Sequence, residues 1–183
     1  MMIKKKKIIN KQLFKVGVIG LGYVGLNLFK AINKKYNYVY GYDISKKRIS
    51  DITNLNKKLV NKISYDQKII KDCNFYIVCV PTPVFSSKKP DLTYLIKACK
   101  KLSKILKKND YVVFESTVYP GITEKVCIPN LINKIQKKKN FFIGYAPERY
   151  SPGDSKNIEQ ITKIVSGENK NVTNKIKLFY SKF

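Results

Sequence analysis

The stretch FKVGVIGLGYVGLNLFKAINKK, residues 14–35, decides the fold that we expect for this chain. Its beginning, FKVGVIG, is a short apolar run typical of a buried strand. Its end, YVGLNLFKAINKK, predicts a helix because Val24, Leu28 and Ile32 recur at a helical spacing and share one face. A strand that turns through glycines into a helix is the first half of a βαβ unit, the repeating element of a parallel sheet.

The turn between this strand and this helix reads GLGYVG, a G-x-G-x-x-G motif that indicates dinucleotide binding in such a context. Gly20 permits the tight turn, Gly22 lets the backbone approach a pyrophosphate, and Gly25 allows close packing of helix on strand. The start of the helix offers free N–H groups and a positive dipole end to phosphates. The motif therefore predicts a dinucleotide cofactor at this turn.

The same motif predicts an acidic residue about 20 positions further along the chain. Asp43 ends the second apolar run and is the residue that fits. Its carboxylate would accept hydrogen bonds from ribose hydroxyls and repel a 2′-phosphate, which favours NAD over NADP. Lys46 and Lys47 weaken this preference slightly. The alternative is a glycine-rich turn that binds nothing, with Asp43 as a helix cap.

The rest of the chain repeats the alternation, so we expect an α/β fold: a doubly wound Rossmann-type parallel sheet with helices on both faces. Further strands are predicted within residues 38–43, 72–83, 110–117, 141–148 and 162–167. Further helices are predicted at residues 91–108, 121–138 and 171–183. Asp91 is the expected N-cap of the first of these, and Pro129 should kink or break the second. We expect a basic tail over residues 1–13 and one domain over residues 14–183.

Charge and composition say less about function than the motifs do. The formal net charge of +25 suggests nucleic acid or an anionic membrane as a partner. The lysines, however, are scattered over predicted helices and loops, and lysine replaces arginine almost throughout, as AT-rich coding would produce. We therefore expect no specific nucleic-acid partner. A basic nucleic-acid binder that uses the fold as a scaffold remains an alternative, and its binding would depend steeply on salt.

Several other classes of protein are disfavoured by what the sequence lacks. It contains no apolar run of about 18 residues, the length of a membrane span, and its basic start has no apolar signal-peptide core. We expect a cytoplasmic protein without membrane contact. The chain has four cysteines, none in a C-x-x-C pair, and no histidine. A metal site is therefore not expected, and Ser-His-Asp and Cys-His mechanisms are excluded.

Three later predicted strands end in unusual sequences: VPTP (80–83), ESTVYPG (115–121) and YAPERYSPG (145–153). In a doubly wound fold the carboxyl ends of the strands meet at the crevice that binds the dinucleotide. We expect these three loops to converge there, where their prolines would fix the geometry and their hydroxyls and charges could face a ligand.

Four motifs, VIGLGYVGLNL, VPTPV…PDLTYLIKA, FESTVYPGITE and YAPERYSPGD, together resemble the N-terminal NAD-binding domain of the UDP-glucose/GDP-mannose dehydrogenase family. These are nucleotide-sugar 6-dehydrogenases. The sequences of these motifs are most similar to the UDP-N-acetylhexosamine branch, especially the UDP-N-acetylglucosamine 6-dehydrogenases of Vi-type and O-antigen polysaccharide synthesis. The resemblance runs in order from about residue 14 to the end. It implies oxidation of C6 of a UDP-sugar to a carboxylate by two NAD molecules in succession, in a homodimer.

The resemblance also implies roles for single residues. The positions that match cofactor contacts of the family, beyond the three glycines, are Tyr23, Val24, Asp43, Arg48, Thr82 and Thr117. Of these, Asp43 matches the ribose-binding acid, Arg48 a basic residue near the adenosine end, and Thr117 also a position near the reacting carbon. Glu148 matches the glutamate that helps to activate water for thioester hydrolysis, so Glu148 and Thr117 are the expected catalytic residues.

Arg149 and Tyr150 match positions that contact the UDP-sugar in this branch. Arg48 and Arg149 are the only arginines among 37 basic residues. A planar guanidinium can make bidentate bonds to phosphate or sugar oxygens, which an ammonium group cannot copy. Ligand contact would therefore explain why arginine persists at these two positions, although chance could also have placed them there.

The family needs more than this sequence contains. Its nucleophilic cysteine lies in a G-G-x-C motif with an essential lysine and aspartate nearby, and none of the four cysteines here has that context: Cys73, Cys79, Cys99 and Cys127. The central dimerisation helix and the C-terminal UDP-binding domain are also missing, and the region 49–72 is shorter than in the family. The chain could be part of a longer enzyme, an inactive truncated product, or a free-standing NAD-binding module without turnover.

Overall fold

The sheet is built around the apolar run that precedes the glycine turn. The computed structural model describes residues 14–132, 140–148 and 161–183. The strands within them are β1 (Val16–Ile19), β2 (Val39–Tyr42), β3 (Ile63–Ser64), β4 (Phe75–Val78), β5 (Tyr111–Phe114), β6 (Phe142–Tyr145) and β7 (Ser166–Gly167). They form one sheet in the order β3-β2-β1-β4-β5-β6-β7. All pairings are parallel except that of β6 with β7.

The strand order reverses direction beside β1. The chain runs outward from β1 through β2 to β3, then returns to place β4 on the other side of β1. Backbone bonds at the carboxyl ends close this junction: Gly20 N–H donates to Tyr42 O and Cys79 N–H donates to Ile19 O, both at 2.8 Å. A crevice opens at such a switch point in an open α/β sheet. The predicted doubly wound fold is confirmed.

Helices cover both faces of the sheet, as predicted. They are α1 (Tyr23–Lys35), α2 (Lys46–Leu55), α3 (Thr93–Leu102), α4 (Ile128–Leu131) and α5 (Lys170–Tyr180). One apolar cluster joins the buried residues of α1, α2 and α5 to one face of the sheet. A second cluster joins those of α3 and α4 to the opposite face. Leu28 and Ile32 of the predicted apolar stripe are buried in the first cluster.

The last helix is held to the sheet by aromatic packing. Phe179 is fully buried and stacks on Phe75 of β4 with 4.2 Å between ring centroids. Its ring also lies 5.0 Å from the ring of Tyr36, whose hydroxyl donates a hydrogen bond to Phe179 O at 3.1 Å. These contacts fix the position of the neighbouring residue, Tyr180, which reaches toward the crevice side of the sheet.

The helix predicted at residues 91–108 is shorter in the structure. It begins at Thr93, whose N–H donates to Asp91 Oδ1 at 2.9 Å, so Asp91 binds the first turn from one residue before the N-cap position. It ends at Leu102. Ser103 Oγ donates back to Lys100 O at 2.9 Å. Side-chain bonds of this kind compete with the helical ladder, and the apolar spacing does not reveal them.

Pro129 changes the type of helix before it rather than breaking the helix at that point. Residues Thr123–Cys127 form a π-helical turn, and Ile128 N–H donates to Thr123 O, five residues back. α4 then follows with Pro129 inside its first turn, where the missing N–H costs least. The wider turn absorbs the mismatch that the proline introduces. Residues 133–138 of the predicted helix lie outside the described part of the chain.

The polar stretch after Asp43 contains elements that the sequence reading did not predict. Ser45 caps α2, since its Oγ accepts from Arg48 N–H at 3.1 Å. The third strand is present but has only two residues, with Ile63 paired to Gly41 of β2. Short 3-10 turns flank it on either side. Among the described residues, no helix has both the length and the apolar character that crossing a membrane requires.

Candidate functional site

Two adjoining cavities occupy the crevice at the carboxyl ends of the central strands. The larger has a volume of about 340 Å³ and the smaller about 250 Å³. They share the residues Gly22, Val80 and Pro81. The glycine turn and the loop after β4 therefore form a constriction between the two cavities, which we call the waist of the crevice. An elongated ligand could fill both cavities.

The three glycines of the turn differ in what surrounds them. Gly20 has φ +88°, and a Cβ there would lie 2.7 Å from the carbonyl oxygen of Cys79. A Cβ on Gly25 would lie 1.9 Å from Gly20 O, so a side chain cannot fit between helix and turn. A Cβ on Gly22 would meet nothing within 4 Å. Gly20 and Gly25 are thus required by the fold, whereas Gly22 faces open space in the crevice.

The start of α1 is suited to an anionic group. Gly22 is its N-cap and provides no side-chain hydrogen bond, and its first turn contains no acidic residue. The first N–H groups of a helix carry a partial positive charge when no side chain satisfies them. Because Gly22 lines both cavities, a phosphate in the waist would lie close to these N–H groups.

Asp43 is fixed by backbone contacts at the edge of the larger cavity. Its Oδ2 accepts from Leu21 N–H at 2.7 Å and its Oδ1 accepts from Ser45 N–H at 2.9 Å. Each carboxylate oxygen keeps a further lone pair for a hydroxyl donor. Arg48 Nε–H donates to Leu21 O at 2.7 Å. Asp43 and Arg48, both predicted to lie near the adenosine, therefore bind the backbone of the same residue of the glycine turn. The cap of α2 is Ser45, not Asp43.

The sequence reading did not identify the far wall of the larger cavity. This wall consists of Ile44, Tyr94, Lys97, Ala98 and Lys101. Four of these belong to α3, whose position depends on the strand order. Lys101 Nζ lies 5.6 Å from the ring centroid of Tyr42. The wall combines apolar side chains with the two cations Lys97 and Lys101, a surface that can receive a flat base and its attached phosphates.

The smaller cavity is where the predicted loops converge. Its other lining residues are Tyr23, Val24, Cys79, Thr82, Glu115, Ser116, Thr117 and Glu148. Thr82 Oγ1 donates to Thr117 O at 2.8 Å, which ties the loop after β4 to the loop after β5. Ser116 Oγ donates to Val80 O at 2.7 Å and adds a second tie. The expected catalytic pair, Thr117 and Glu148, thus lies in one cavity with the glycine turn.

A buried ionic cluster forms the floor of the smaller cavity. Lys163 Nζ donates to Glu115 Oε2 and, at 3.0 Å, to Glu148 Oε2. Tyr180 OH donates to the other oxygen of Glu115. The sequence reading missed Lys163 and Tyr180, although a lone lysine within the apolar stretch TKIVSG was a signal for a buried ion pair.

The ionisation of this cluster follows from burial and from its partners. Burial raises the pKa of Glu115 to about 7, although Lys163 and the Tyr180 hydroxyl act in the opposite direction. Burial disfavours the charged form of Lys163, but the two carboxylates outweigh it and raise the lysine pKa. Burial, followed by the charge of Glu115, raises the pKa of Cys79. The thiol in the cavity is therefore held in its protonated, unreactive form.

Some predicted site residues remain without a structural description. Arg149 and Tyr150, the expected substrate contacts, lie outside the described residues. Within the described ranges, no group of three or more cysteine or acidic side chains is arranged to hold a metal ion. The site described by the remaining residues is a cleft that could hold an elongated anionic ligand, with several hydroxyl side chains and the carboxylates of Glu115 and Glu148 at one end.

Comparison with known proteins gives a consistent result. The sequence model described as "UDP-glucose/GDP-mannose dehydrogenase family, NAD binding domain" matches residues 14–183. The UDP-N-acetyl-D-glucosamine 6-dehydrogenases of Salmonella typhi and Pseudomonas aeruginosa are 43% and 39% identical to this chain over 168 and 181 residues. These alignments cover 84% and 91% of this chain but 39% and 43% of the relatives. The chain thus spans about two fifths of the length of the curated relatives it matches.

Solved structures show the same architecture. A UDP-D-ManNAc dehydrogenase from Pyrococcus horikoshii matches with a TM-score of 0.78 at 28% identity, over 92% of this chain and 44% of that one. A ternary complex of GDP-mannose dehydrogenase from Pseudomonas aeruginosa matches with a TM-score of 0.80 at 22% identity, over the same shares of the two chains. The second likeness shows the fold alone.

Proposed function

Since this chain belongs to the UDP-glucose/GDP-mannose dehydrogenase family and comprises its NAD-binding domain, we propose that it is the cofactor-binding part of a UDP-N-acetylhexosamine 6-dehydrogenase. The two curated relatives named above act, by their names, on UDP-N-acetyl-D-glucosamine. That sugar nucleotide is the first candidate substrate. The product would be the C6 carboxylate used in polysaccharide synthesis.

One observation carries the cofactor assignment: the open backbone at Gly22 lies between two cavities and beside the fixed carboxylate of Asp43. A pyrophosphate at the start of α1 would place one half of the dinucleotide in each cavity. The adenosine half suits the larger cavity, where Asp43 can accept ribose hydroxyls. The nicotinamide half suits the smaller cavity, next to Thr117.

NAD, when bound, supplies the hydride acceptor for alcohol and aldehyde oxidation. The protein residues position the substrate and manage protons. Thr117 places a hydroxyl near the reacting carbon, and the Glu148 carboxylate can accept a proton from an attacking water molecule. Its side chain is only 7% exposed, which shields that proton transfer from bulk solvent. Arg149 and Tyr150 remain the predicted contacts to the UDP-sugar.

The covalent part of the reaction requires a thiol that this sequence does not supply. Three of its cysteines, Cys73, Cys99 and Cys127, are buried in the structure, and Cys79 is held protonated. The thiolate is the nucleophilic form of cysteine. We therefore expect the 183-residue chain to bind NAD without oxidising a UDP-sugar. The second candidate function, an NAD-binding module without turnover, rests on this same observation.

The proposal is tested with the purified chain by titrating NAD and NADP in a calorimeter. Saturable NAD binding with weaker NADP binding is the expected result, and no NAD binding would refute the proposal. UDP-N-acetylglucosamine is then added to the NAD complex, and NADH absorbance is followed. Absence of NADH formation supports a cofactor-binding part, whereas sustained formation would show that the covalent step needs no further thiol.

A further inference from the structure

Four ionisable side chains from four separate segments meet at the floor of the smaller cavity. Glu115 follows β5, Glu148 follows β6, Lys163 precedes β7, and Tyr180 ends α5. Only Glu148 has a predicted role in the reaction. The other three occupy positions that a stable core would normally fill with apolar side chains, so their presence needs an explanation.

Burial makes this arrangement unfavourable unless every charge is paired. The Glu115 side chain has no exposed surface, that of Glu148 is 7% exposed, and that of Lys163 is 15% exposed. Among the described residues, the ammonium group of Lys163 contacts both buried carboxylates. Removing a single partner from such a cluster leaves an uncompensated buried charge, whereas an apolar replacement of the whole cluster need not destabilise the fold. The cluster is thus better suited to a specific geometry than to stability.

The contacts of Lys163 determine the position of the Glu148 side chain. The backbone N–H of Glu148 already donates to Glu115 O at 3.4 Å, which joins the ends of β5 and β6. The Glu148 carboxylate is also linked to Glu115, because Lys163 Nζ donates to Glu148 Oε2 at 3.0 Å and to Glu115 Oε2. The lysine thus fixes the side chain at the cavity wall, independently of the backbone contact.

We propose that Lys163 is a positioning residue, which holds the Glu148 carboxylate in one orientation at the nicotinamide end of the cleft, and that Glu115 and Tyr180 anchor the lysine. This inference rests on the proposed function for the role of Glu148. A general base must lie within hydrogen-bond reach of the proton that it accepts, so the direction of the carboxylate decides which water molecule it can serve.

The anchor has two parts on opposite sides of the lysine. Glu115 accepts from Lys163 through one carboxylate oxygen and from the Tyr180 hydroxyl through the other. Lys163 Nζ also lies 5.8 Å from the ring centroid of Tyr180. Within the described part of the chain, the charged or titratable groups around Glu115 are Lys163, Glu148 and Tyr180, with Cys79 on the neighbouring loop.

The test uses carboxyl carbon NMR of the whole chain, labelled at glutamate Cδ, as a function of pH. In Lys163→Met, we expect the titration midpoint of Glu115 to rise by about 1–3 pH units. The Glu148 resonance should move toward the position of an unconstrained glutamate side chain. Lys163→Arg, which keeps the charge, should restore both resonances to near their original positions.

An exposed ion pair provides the matched control. Lys107 Nζ lies 3.2 Å from Asp72 Oδ1, and these side chains are 56% and 79% exposed. Lys107→Met removes a lysine from a similar contact and should leave both glutamate resonances unchanged. Unchanged resonances of Glu115 and Glu148 in a folded Lys163→Met protein would overturn the proposal. If that variant does not fold, Lys163→Gln, which keeps a donor but removes the charge, should still raise the Glu115 midpoint, and an unchanged midpoint would overturn the anchoring of the lysine by Glu115.

Failure of this inference can be distinguished from failure of the proposed function. NAD titration of Lys163→Met should give an affinity within about twofold of the original, since the residue lies below the cavity rather than among its lining. Absence of NAD binding to the unsubstituted chain would refute the cofactor assignment and leave the NMR result intact. Normal NAD binding with unchanged carboxyl resonances would refute the positioning role alone.

Discussion

The carboxylate of Asp43 accepts a hydrogen bond from Leu21 N–H at 2.7 Å, although the two residues are 22 positions apart in sequence. The contact joins the end of β2 to the glycine turn after β1. Asp43 therefore has a structural task besides the proposed binding of ribose. Removing its side chain would leave the Leu21 N–H without this acceptor, which costs about 1–3 kcal/mol for a buried donor.

Asp43→Asn separates the two tasks better than Asp43→Ala. The amide oxygen can still accept from Leu21 N–H, but the negative charge that repels a 2′-phosphate is lost. We expect NAD affinity to fall about tenfold, as for loss of a charged hydrogen-bond acceptor, and the preference for NAD over NADP to narrow. Calorimetric titration with both cofactors measures this.

Asp66→Asn is the control for that experiment. Asp66 also accepts from a nearby backbone N–H, that of Lys68 at 3.0 Å, but outside the two cavities. It should leave both affinities unchanged. An Asp43→Asn protein that binds NAD as tightly as the original would argue against a ribose contact at this position.

Gly22→Ala should lower NAD affinity without loss of stability, whereas Gly25→Ala should lower stability. Alanine at position 22 meets no atom within 4 Å, so stability should change by less than about 0.5 kcal/mol. NAD affinity should fall, because the methyl group enters the space proposed for the pyrophosphate. Alanine at position 25 would place Cβ 1.9 Å from Gly20 O. That variant should lose about 1–3 kcal/mol or more, measured by urea unfolding.

Equal NAD affinity in Gly22→Ala and the original chain would contradict the proposed position of the pyrophosphate at the waist of the crevice. Equal stability in Gly25→Ala would show that helix and turn can separate without cost.

Stability should decrease as pH rises from about 5 to 8. The pKa of Glu115 is raised from 4.5 to about 7 in the folded state. Between these values the folded state binds more protons than the unfolded state, so the free energy of unfolding falls with pH. The full effect of this group is about 3 kcal/mol. Asp110, whose pKa burial raises to about 6, acts in the same direction.

Urea unfolding of the original chain and of Glu115→Gln at several pH values measures the slope. The Gln variant should show a flatter dependence, and Asp110→Asn should remove only the lower part of the decline. A Glu115→Gln protein with the same pH dependence as the original would mean that Glu115 stays ionised throughout.

Phe179→Ala should destabilise the chain by about 3–5 kcal/mol, the usual loss for a buried phenylalanine. Its ring stacks on Phe75 and contacts Tyr36, so truncation leaves a cavity between α5 and the sheet. Thermal or urea unfolding measures the loss. Leu178→Ala, at the preceding and 47% exposed position of the same helix, should change stability by less than about 0.5 kcal/mol. Similar losses in both variants would contradict the packing described for α5.

The parts of the fold that local sequence determines were predicted correctly. The glycine turn, the apolar strands and α1 each depend on residues close together in the chain, and α1 has the predicted bounds, Tyr23–Lys35. The stretch with α2 and β3 was missed because it is rich in lysine and asparagine, with only Ile49 and Ile52 to mark a buried helix face. A capping serine, Ser45, was the available signal.

The candidate site likewise has a part that sequence predicts and a part that only the fold brings together. The number of residues between the glycines and Asp43 is that of a known motif, so sequence alone predicts that they lie in one site. Lys163 and Tyr180 lie 48 and 65 positions from Glu115, and only the strand order makes them neighbours. The roles of Arg149 and Tyr150 stay predictions.

Both edges of the described sheet are strands of two residues, β3 at Ile63–Ser64 and β7 at Ser166–Gly167. Such short edges offer few unpaired backbone groups to a sheet of another molecule, which is how many proteins avoid aggregation through their edges. The net charge of +25 adds repulsion between copies. Salt screens the charge but not the edge geometry. Resistance to edge-to-edge aggregation should therefore persist at ionic strengths where repulsion no longer keeps the molecules apart.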